Sequence, residues 1–362
     1  MKDFLIVGSG LFGSVLAREL TDVGYNCHVI DRRNHTGGNC YTENVNGINV
    51  HKYGSHIFHT SDDLIWKYLL KHTTVNQFSC RPKLKYGERI FSLPINLMTF
   101  NQLWNVTTPQ EAEKKILEVT KEYKRETYNN AEEWALGHVG KEIYEIFYKE
   151  YLEKQWHKEP KEIPVEIIAR QTIRLDYNDS YYYDTYQGIP DYTKLFQSLL
   201  NGITVDLNVD YLKDKEYFDS RYNKIIYTGA IDEFFGYTLG TLEYRSLRFE
   251  HEILPIKDFQ GVFMVSYPEK KYEFTRIIEH KHFEFGKQDF TVITKEYPQD
   301  WNAETQAYYP FNNNKNQNIY EKYEQLNKDD KFIFGGRLGY YRYLDMDDTI
   351  ILALKLFQKL IK

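Results

Sequence analysis

Apolar residues open the chain as a short block, FLIV at 4–7, then recur every three or four positions through SVLARELTDVGY, and a second block, NCHVID, ends at Asp31. A short unbroken apolar run reads as a strand covered on both faces, and a 3.6-residue period reads as a helix with one buried stripe. The first 31 residues therefore predict a βαβ unit. From about residue 84 to 174 the period is mainly helical, in PQEAEKKILEVTKEYK and AEEWALGHVGKEIYEIFYKEYLEKQW. Between 237 and 297 it changes to shorter runs rich in Val, Ile, Tyr, Phe and Thr with turn residues between, such as GVFMVSYP and FTVITKEYP, which predict strands. A strand at 331–334 and a helix opening near Asp347 and Asp348, acids suited to a first helical turn, close the pattern. The fold class expected is α/β: a discontinuous Rossmann-like nucleotide domain, interrupted by a helical insert and an antiparallel β-sheet. The polar stretch NNNKNQN at 312–318 reads as a surface loop, and there are no internal repeats.

At 362 residues the chain exceeds the size at which one core commonly divides into several. A formal charge of −6 and a pI near 6.0 give no basic footprint for nucleic acid or an anionic membrane surface, so an anionic ligand would need local arginines. Cys27, Cys40 and Cys80 are odd in number and lack C-x-x-C spacing, which argues against a disulfide framework or zinc ribbon and favours a reducing cytoplasm. The opening MKDFLIVGSGLFG has a lysine before an apolar run, yet Asp3 and the glycines interrupt it, so a buried strand is expected rather than a signal peptide. No apolar run approaches the roughly 20 residues of a bilayer span, and a soluble protein is expected. The 32 tyrosines either pack in cores and interfaces or line a wet cleft with phenols.

Candidate chemistry begins where the first strand ends. Gly8-Ser9-Gly10-Leu11-Phe12-Gly13 is G-x-G-x-x-G between a predicted strand and a predicted helix. In that context the glycines allow a tight turn, a close backbone approach to a pyrophosphate, and close helix packing. Asp31 stands where an acid accepts hydrogen bonds from an adenosine ribose. Arg32, Arg33, Gly37, Gly38 and Asn39 follow, suiting a second close approach to a long extended cofactor, so FAD rather than a nicotinamide dinucleotide is expected. At the far end Gly335-Gly336-Arg337 follows the last strand, either beside an isoalloxazine ring or as part of a strand and helix that close the core. HKYGSHIFHT at 51–60 holds His51, His56 and His59. Their spacing matches no common zinc pattern, and no nearby cysteine or H-E-x-x-H supports one, so no metal is expected.

Taken in order, GSGLFGSVLAREL, RNHTGGNCYTE, HKYGSHIFHT, YLEKQW, RIIEHKHF, VITKEYP, YYPFNNNKN and IFGGRL resemble, from end to end, the bacterial UDP-galactopyranose mutases. The resemblance implies an FAD domain (1–78, 190–236 and 318–362), a helical substrate and lid domain (79–175) and a sheet domain (176–189 and 237–317). It implies an isomerase in which reduced FAD attacks the anomeric carbon of UDP-galactopyranose through N5. The sugar then opens as a flavin iminium and recloses as UDP-galactofuranose for surface polysaccharide, without net oxidation. Carried over residue by residue, Arg170 and Arg276 would hold the diphosphate with Tyr181, Tyr309 and Tyr343. Phe147 and Tyr151, four apart on one helical face, would pack against uracil, while Trp156 and Asp345 would sit beside the sugar. The expected catalytic set is Arg170, Arg276, His56 and Trp156. The expected cofactor set is Gly8, Gly10, Leu11, Phe12, Gly13, Asp31, Arg32, Gly38, Asn39, His56, Ile57, Gly336, Arg337, Tyr343, Leu344 and Asp345, with Arg337 beside the reduced ring. His51 and His59 are expected to be structural. Tyrosines at 182, 183, 308, 340 and 341 leave one-position alternatives open.

The resemblance further implies a lid over IARQTIRL, a homodimer, a cytoplasmic setting, and an external reductant such as NADPH or a flavin reductase, with no nucleic acid or membrane partner. One departure stands out: Phe78-Ser79-Cys80-Arg81 occupies a place where many members carry Asn in an FTN-type segment, which leaves tolerance of UDP-N-acetylgalactosamine open. Two rival readings remain, an amine-oxidase-like FAD oxidoreductase that would consume an electron acceptor, and a UDP-sugar-binding protein that keeps flavin only for structure.

Overall fold

The computed structural model describes residues 2–169, 173–302 and 304–362. The expected βαβ unit is present as strand Lys2–Val7, helix Leu11–Asp22 and strand Cys27–Asp31. It belongs to a five-stranded parallel sheet in the order Phe332–Phe334, Tyr222–Tyr227, Lys2–Val7, Cys27–Asp31, Thr204–Leu207. Leu5, Ile6, Val29, Ile30, Ile225 and Ile226 are fully buried, which is why these runs are apolar throughout instead of alternating. Helix Leu11–Asp22 packs with helix Tyr192–Leu199 and with the C-terminal helix Met346–Leu360, placing Leu16, Leu20, Phe196, Ile350 and Ala353 in one cluster. Strands from both ends and the middle of the chain thus share one sheet, so the nucleotide domain is discontinuous. None of the described helices is long and apolar enough to cross a membrane.

The second sheet has seven strands, in the order Tyr309–Pro310, Tyr244–Leu254, Thr291–Asp300, Arg276–Glu279, Met264–Ser266, Lys83–Tyr86, Arg89–Ser92. Met264–Ser266 and Lys83–Tyr86 run parallel, and the other neighbours are antiparallel.

Three expectations are corrected here. The stretch from 84 begins with a hairpin rather than a helix; Leu84 pairs directly with Phe91, both buried, and four-residue strands are too short to display a period. The run 131–156 is not one helix but Ala131–Ile143, a π-helical turn Tyr144–Lys149, and Glu150–Trp156. Gly140 breaks it at φ +75°, where a side chain would meet Val119 of helix Pro109–Thr120 at 2.7 Å. NNNKNQN is not a loop: Asn313 accepts a hydrogen bond from the Asn316 amide and starts helix Asn314–Leu326. Apolar residues of the helices gather in their own cluster with Phe91 and Phe311. We propose the three-domain division on that basis, with hairpin 83–92 tying the helical part to the sheet.

Candidate active site

One cleft is lined from both sheets, by Gly8, Gly10 and Asp31 at the parallel sheet and by Arg276, Glu296 and Tyr309 at the other. At the first end Gly10 caps helix Leu11–Asp22 with extended backbone and no side-chain cap, so the amides of the first turn remain available to an anion. Gly38 has φ +56°, and a Cβ there would lie 2.9 Å from Gly10 Cα. Two backbones pass at a separation that admits no side chain, a cradle suited to a pyrophosphate. Asp31 organises this loop before it meets any ligand: Oδ2 accepts from the Ser9 amide (2.8 Å) and hydroxyl (2.7 Å), and Oδ1 accepts from the Arg33 amide (2.9 Å). Of roughly four acceptor sites on a carboxylate, about one is left for a ribose hydroxyl.

The paired arginines differ. Arg32 is an exposed partner of Glu233 at 3.5 Å. Arg33 lies over the Tyr53 ring at 4.3 Å and donates through Nη2 to Asn39 Oδ1 at 2.9 Å, while its Nη1 is buried with no partner. Burial lowers its pKa, the nearby Tyr53 and Asp31 opposing. A guanidinium nitrogen left unpaired against the cleft is what an anionic cofactor would satisfy. Together with the glycine cradle, this makes the site fit a dinucleotide. Sequence reasoning named both arginines beside the cofactor but put only Arg32 in the expected cofactor set; the burial that distinguishes Arg33 is reported by no local pattern.

The three histidines of 51–60 do not converge on a point. His56 lines the cleft with Gly54, Ser55 and Ile57. Burial pushes its pKa down to about 4, with the Arg337 and Arg33 charges adding to the fall. His51 is buried and pushed down to about 3 by desolvation. His59 holds Asp184 at 2.8 Å through Nδ1, stacks on Tyr182 at 3.7 Å, and lines the cleft, a place its expected structural role did not include. A grouping of Asp258, Glu279 and His282 lies elsewhere, with His282 Nε2 at 3.2 and 3.4 Å from the two carboxylates. Bonding to Glu279 raises the His282 pKa.

At the other end, Arg276 and Glu296 are direct cross-strand partners, with Nε 3.0 Å from Oε1. Arg276 also donates through Nη2 to the Tyr151 hydroxyl at 3.1 Å. Glu296 is 2% exposed; burial pushes its carboxyl up while Arg276 pulls it back, and Arg276 is held firmly protonated. The Tyr309 and Tyr343 rings stack 6.1 Å apart in the cleft, where Leu344 and Asp345 also lie. Asp345 precedes helix Met346–Leu360 with extended backbone. Gly336 and Arg337 line the cleft too, and Arg337 donates to the Tyr308 carbonyl.

Not every expected residue is brought to this cleft. Phe147 packs edge-on against Phe91 at 5.4 Å in the helical core, while Tyr151 reaches Arg276. The two rings of this pair meet different partners, with Phe147 in the π-helical turn and Tyr151 in the helix that follows it. Trp156 lies against Phe311 at 5.4 Å, also in the helical core. Tyr181 is 38% exposed and meets Tyr182 edge-on, and Tyr182 is the member of that pair that lines the cleft. Arg170 lies outside the described residues. Of the departing segment, Phe78 and Cys80 are buried, and Arg81 turns to Asp179 at 3.3 Å. Tyr182 and Tyr308, held open as one-position alternatives, both line the cleft; sequence reasoning missed Glu296, for which the one usable signal was a carboxylate within the apolar run TVITKEYP.

The fold and this cleft define a Rossmann-type enzyme built around a dinucleotide, with an arginine-, tyrosine- and carboxylate-lined chamber beside it. A family model for UDP-galactopyranose mutase matches residues 146–343, and one for an NAD(P)-binding Rossmann-like domain matches 6–72. The chain is 38% identical over 373 residues to dTDP-fucopyranose mutase of Escherichia coli, covering 100% of this chain and 99% of that one. It is also 38% identical over 365 residues to the probable UDP-galactopyranose mutase of Klebsiella pneumoniae, covering 98% and 93%. A crystal structure of reduced UDP-galactopyranose mutase has the same fold, with a TM-score of 0.75 over 100% of this chain and 96% of that one at 16% identity. The chain belongs to the UDP-galactopyranose mutase family, whose members are isomerases.

Proposed function

We propose that this protein is an FAD-dependent nucleotide-sugar mutase that interconverts UDP-galactopyranose and UDP-galactofuranose. The observation that carries the reading is the pairing of half-buried Arg276 with buried Glu296, set by strand register and sharing with Tyr309 and Tyr343 the cleft that holds the glycine cradle. FAD would be held at Gly8, Gly10, Leu11, Phe12, Gly13, Asp31, Arg33, Gly38, Asn39, Ile57 and Gly336, with Arg337 and His56 near its ring. Bound and reduced, it would supply a nucleophilic N5 for the anomeric carbon, which lets a ring contraction proceed with no net oxidation.

The chain's own residues do the rest. Arg276 presents a guanidinium fork to the diphosphate, with Tyr309, Tyr343 and Tyr181 donating hydroxyl bonds and Arg170 as the second cation. Glu296 orients Arg276 and keeps its charge compensated until substrate arrives. Asp345, in the cleft, faces the sugar in this reading; Trp156 would join it only as the helical part closes over the substrate and excludes water, and Tyr151 links Arg276 to that part. The enzyme would work in the cytoplasm as a homodimer, reduced by NADPH or a flavin reductase.

A second reading changes only the substrate. The Escherichia coli relative that spans this chain end to end is a dTDP-fucopyranose mutase, so a deoxythymidine-linked 6-deoxysugar is the competing substrate. The test is to incubate the flavin-loaded protein, oxidised or dithionite-reduced, with UDP-galactofuranose, dTDP-fucofuranose and the N-acetylated UDP-sugar, and to separate the products. Conversion of UDP-galactofuranose in the reduced sample alone supports the first reading. A marked preference for the dTDP-sugar replaces it with the second, and acceptor consumption with no ring contraction would return the oxidoreductase.

A further inference from the structure

His56 is held at its amide, its carbonyl and one ring nitrogen. Its N–H donates to His51 Nδ1 (3.1 Å), its carbonyl accepts from the Tyr192 hydroxyl (3.0 Å), and its Nδ1–H donates to the Gly54 carbonyl (2.9 Å). The last bond decides the tautomer: with the proton on Nδ1, Nε2 carries the lone pair. Behind His56 the hydrogen bonds continue. The His51 N–H donates to His280 Nδ1 (3.2 Å), the His280 Nε2–H donates to Thr294 Oγ1 (2.5 Å), and that hydroxyl is hydrogen-bonded to His251 Nδ1 (2.7 Å).

This order is possible only with neutral rings, because a proton on Nδ1 of His51 or His280 would face an N–H donor. Both are 1% exposed, and burial pushes both strongly towards the neutral form. The His51 ring is stacked on Phe283 at 4.4 Å and meets the Tyr192 edge at 5.7 Å, so it has little freedom to turn. Two of the links are backbone amides, which do not pass a proton along. The chain therefore cannot carry protons from the surface to the cleft; what it transmits is position. His51, His251, His280 and Thr294 stand outside the cleft lining, whereas His56 is part of it.

We propose that His51, His280, Thr294 and His251 form a positioning chain that fixes where the Nε2 lone pair of His56 meets the flavin ring. The inference rests on the flavin reading of the cleft. A cluster that merely packed would need shape alone; this one needs an acceptor at position 51 and a hydroxyl at position 294.

Three variants of the flavin-loaded protein separate those demands. Thr294→Val keeps the shape and removes the hydroxyl, His51→Leu removes the acceptor, and His51→Asn returns an amide oxygen near the place of Nδ1. The readouts are visible absorption and circular dichroism of the bound flavin, with kcat and KM for sugar conversion. Thr294→Val and His51→Leu should shift the flavin bands and lower kcat about tenfold, since small misplacements at a reacting centre are costly, with KM within about twofold. His51→Asn should restore the bands.

Unchanged bands in both Thr294→Val and His51→Leu overturn the proposal, as does a His51→Asn variant that behaves like His51→Leu. Thr294→Val decides the matter if His51→Leu does not fold. A wild-type protein that holds flavin but converts no sugar removes the mutase reading and leaves the band comparison to judge the chain. One that takes up no flavin overturns both.

Discussion

Replacing Glu296 by Gln keeps the side chain's shape and removes one charge from its pair with Arg276. At 3.0 Å and an effective dielectric of about 20, the attraction to Arg276 is about 5.5 kcal/mol before desolvation. Withdrawing Glu296 and part of Arg276 from water offsets much of that, yet deleting the carboxylate leaves a half-buried cation, its side chain 21% exposed, without its counter-charge, which costs up to about 3 kcal/mol. Arg276 keeps the Tyr151 hydroxyl at 3.1 Å, so that figure is an upper bound. Spread over 362 residues at an unfolding entropy of about 2.1 cal/mol/K each, 3 kcal/mol lowers Tm by about 4 °C. The sign should reverse in part when an anion arrives. A diphosphate in the cleft supplies the missing counter-charge, so saturating UDP should stabilise E296Q more than wild type, whereas in wild type it competes with Glu296 for the guanidinium. The assay is thermal unfolding of the flavin-loaded protein with and without UDP. A variant as stable as wild type, or one that gains less from UDP than wild type, would refute the view that Glu296 holds Arg276 ready for a phosphate.

Gly38→Ala places a Cβ 2.9 Å from Gly10 Cα at φ +56°, so the cradle must open; flavin affinity should fall at least about tenfold and stability by about 1–2 kcal/mol, read by fluorescence titration and urea melts. Arg33→Met should weaken flavin binding about tenfold, because the unpaired buried Nη1 loses its role, while Arg32→Met should change it less than about twofold. His51 and His56, pushed down to about 3 and about 4, stay neutral in the fold while the unfolded chain takes up protons below about pH 6.5. Stability should therefore fall from pH 6.5 towards 4, by about 2 kcal/mol per group at pH 5, and a urea midpoint equal at pH 7.5 and pH 5 would count against it. His56 faces Arg337 and Arg33, whose charges deepen this loss, and His282, raised by Glu279, opposes it by stabilising the fold below about pH 6.5 and losing that effect as pH rises through its folded pKa.

What was legible from sequence alone shares a physical scale. The strand–glycine–helix opening and the terminal strand and helix depend on periodicity and hydrogen bonds within a few residues, and they were read in nearly the right places. Where local cues competed, the reading failed: NNNKNQN looked like a polar loop, but its second Asn caps a helix. The hairpin at 83–92 was too short for its alternation to rise above the helical pattern that follows.

The site's decisive pairings lie beyond that scale. Arg276 and Glu296 are twenty residues apart, and only the antiparallel register between their strands makes them opposite; a one-residue slip would turn either to the other face. The burial of Arg33, the different partners of Phe147 and Tyr151, and the hydrogen-bond chain through 51, 251, 280 and 294 depend likewise on which distant segments meet. The sequence by itself determined the elements, the nucleotide-binding loop and the kind of chemistry these residue types can do. Tertiary structure alone decided which of Arg32 and Arg33 turns a buried nitrogen to the cleft, which phenols line that cleft and which histidine is held, because burial and charge compensation belong to contacts between segments and not to any one of them.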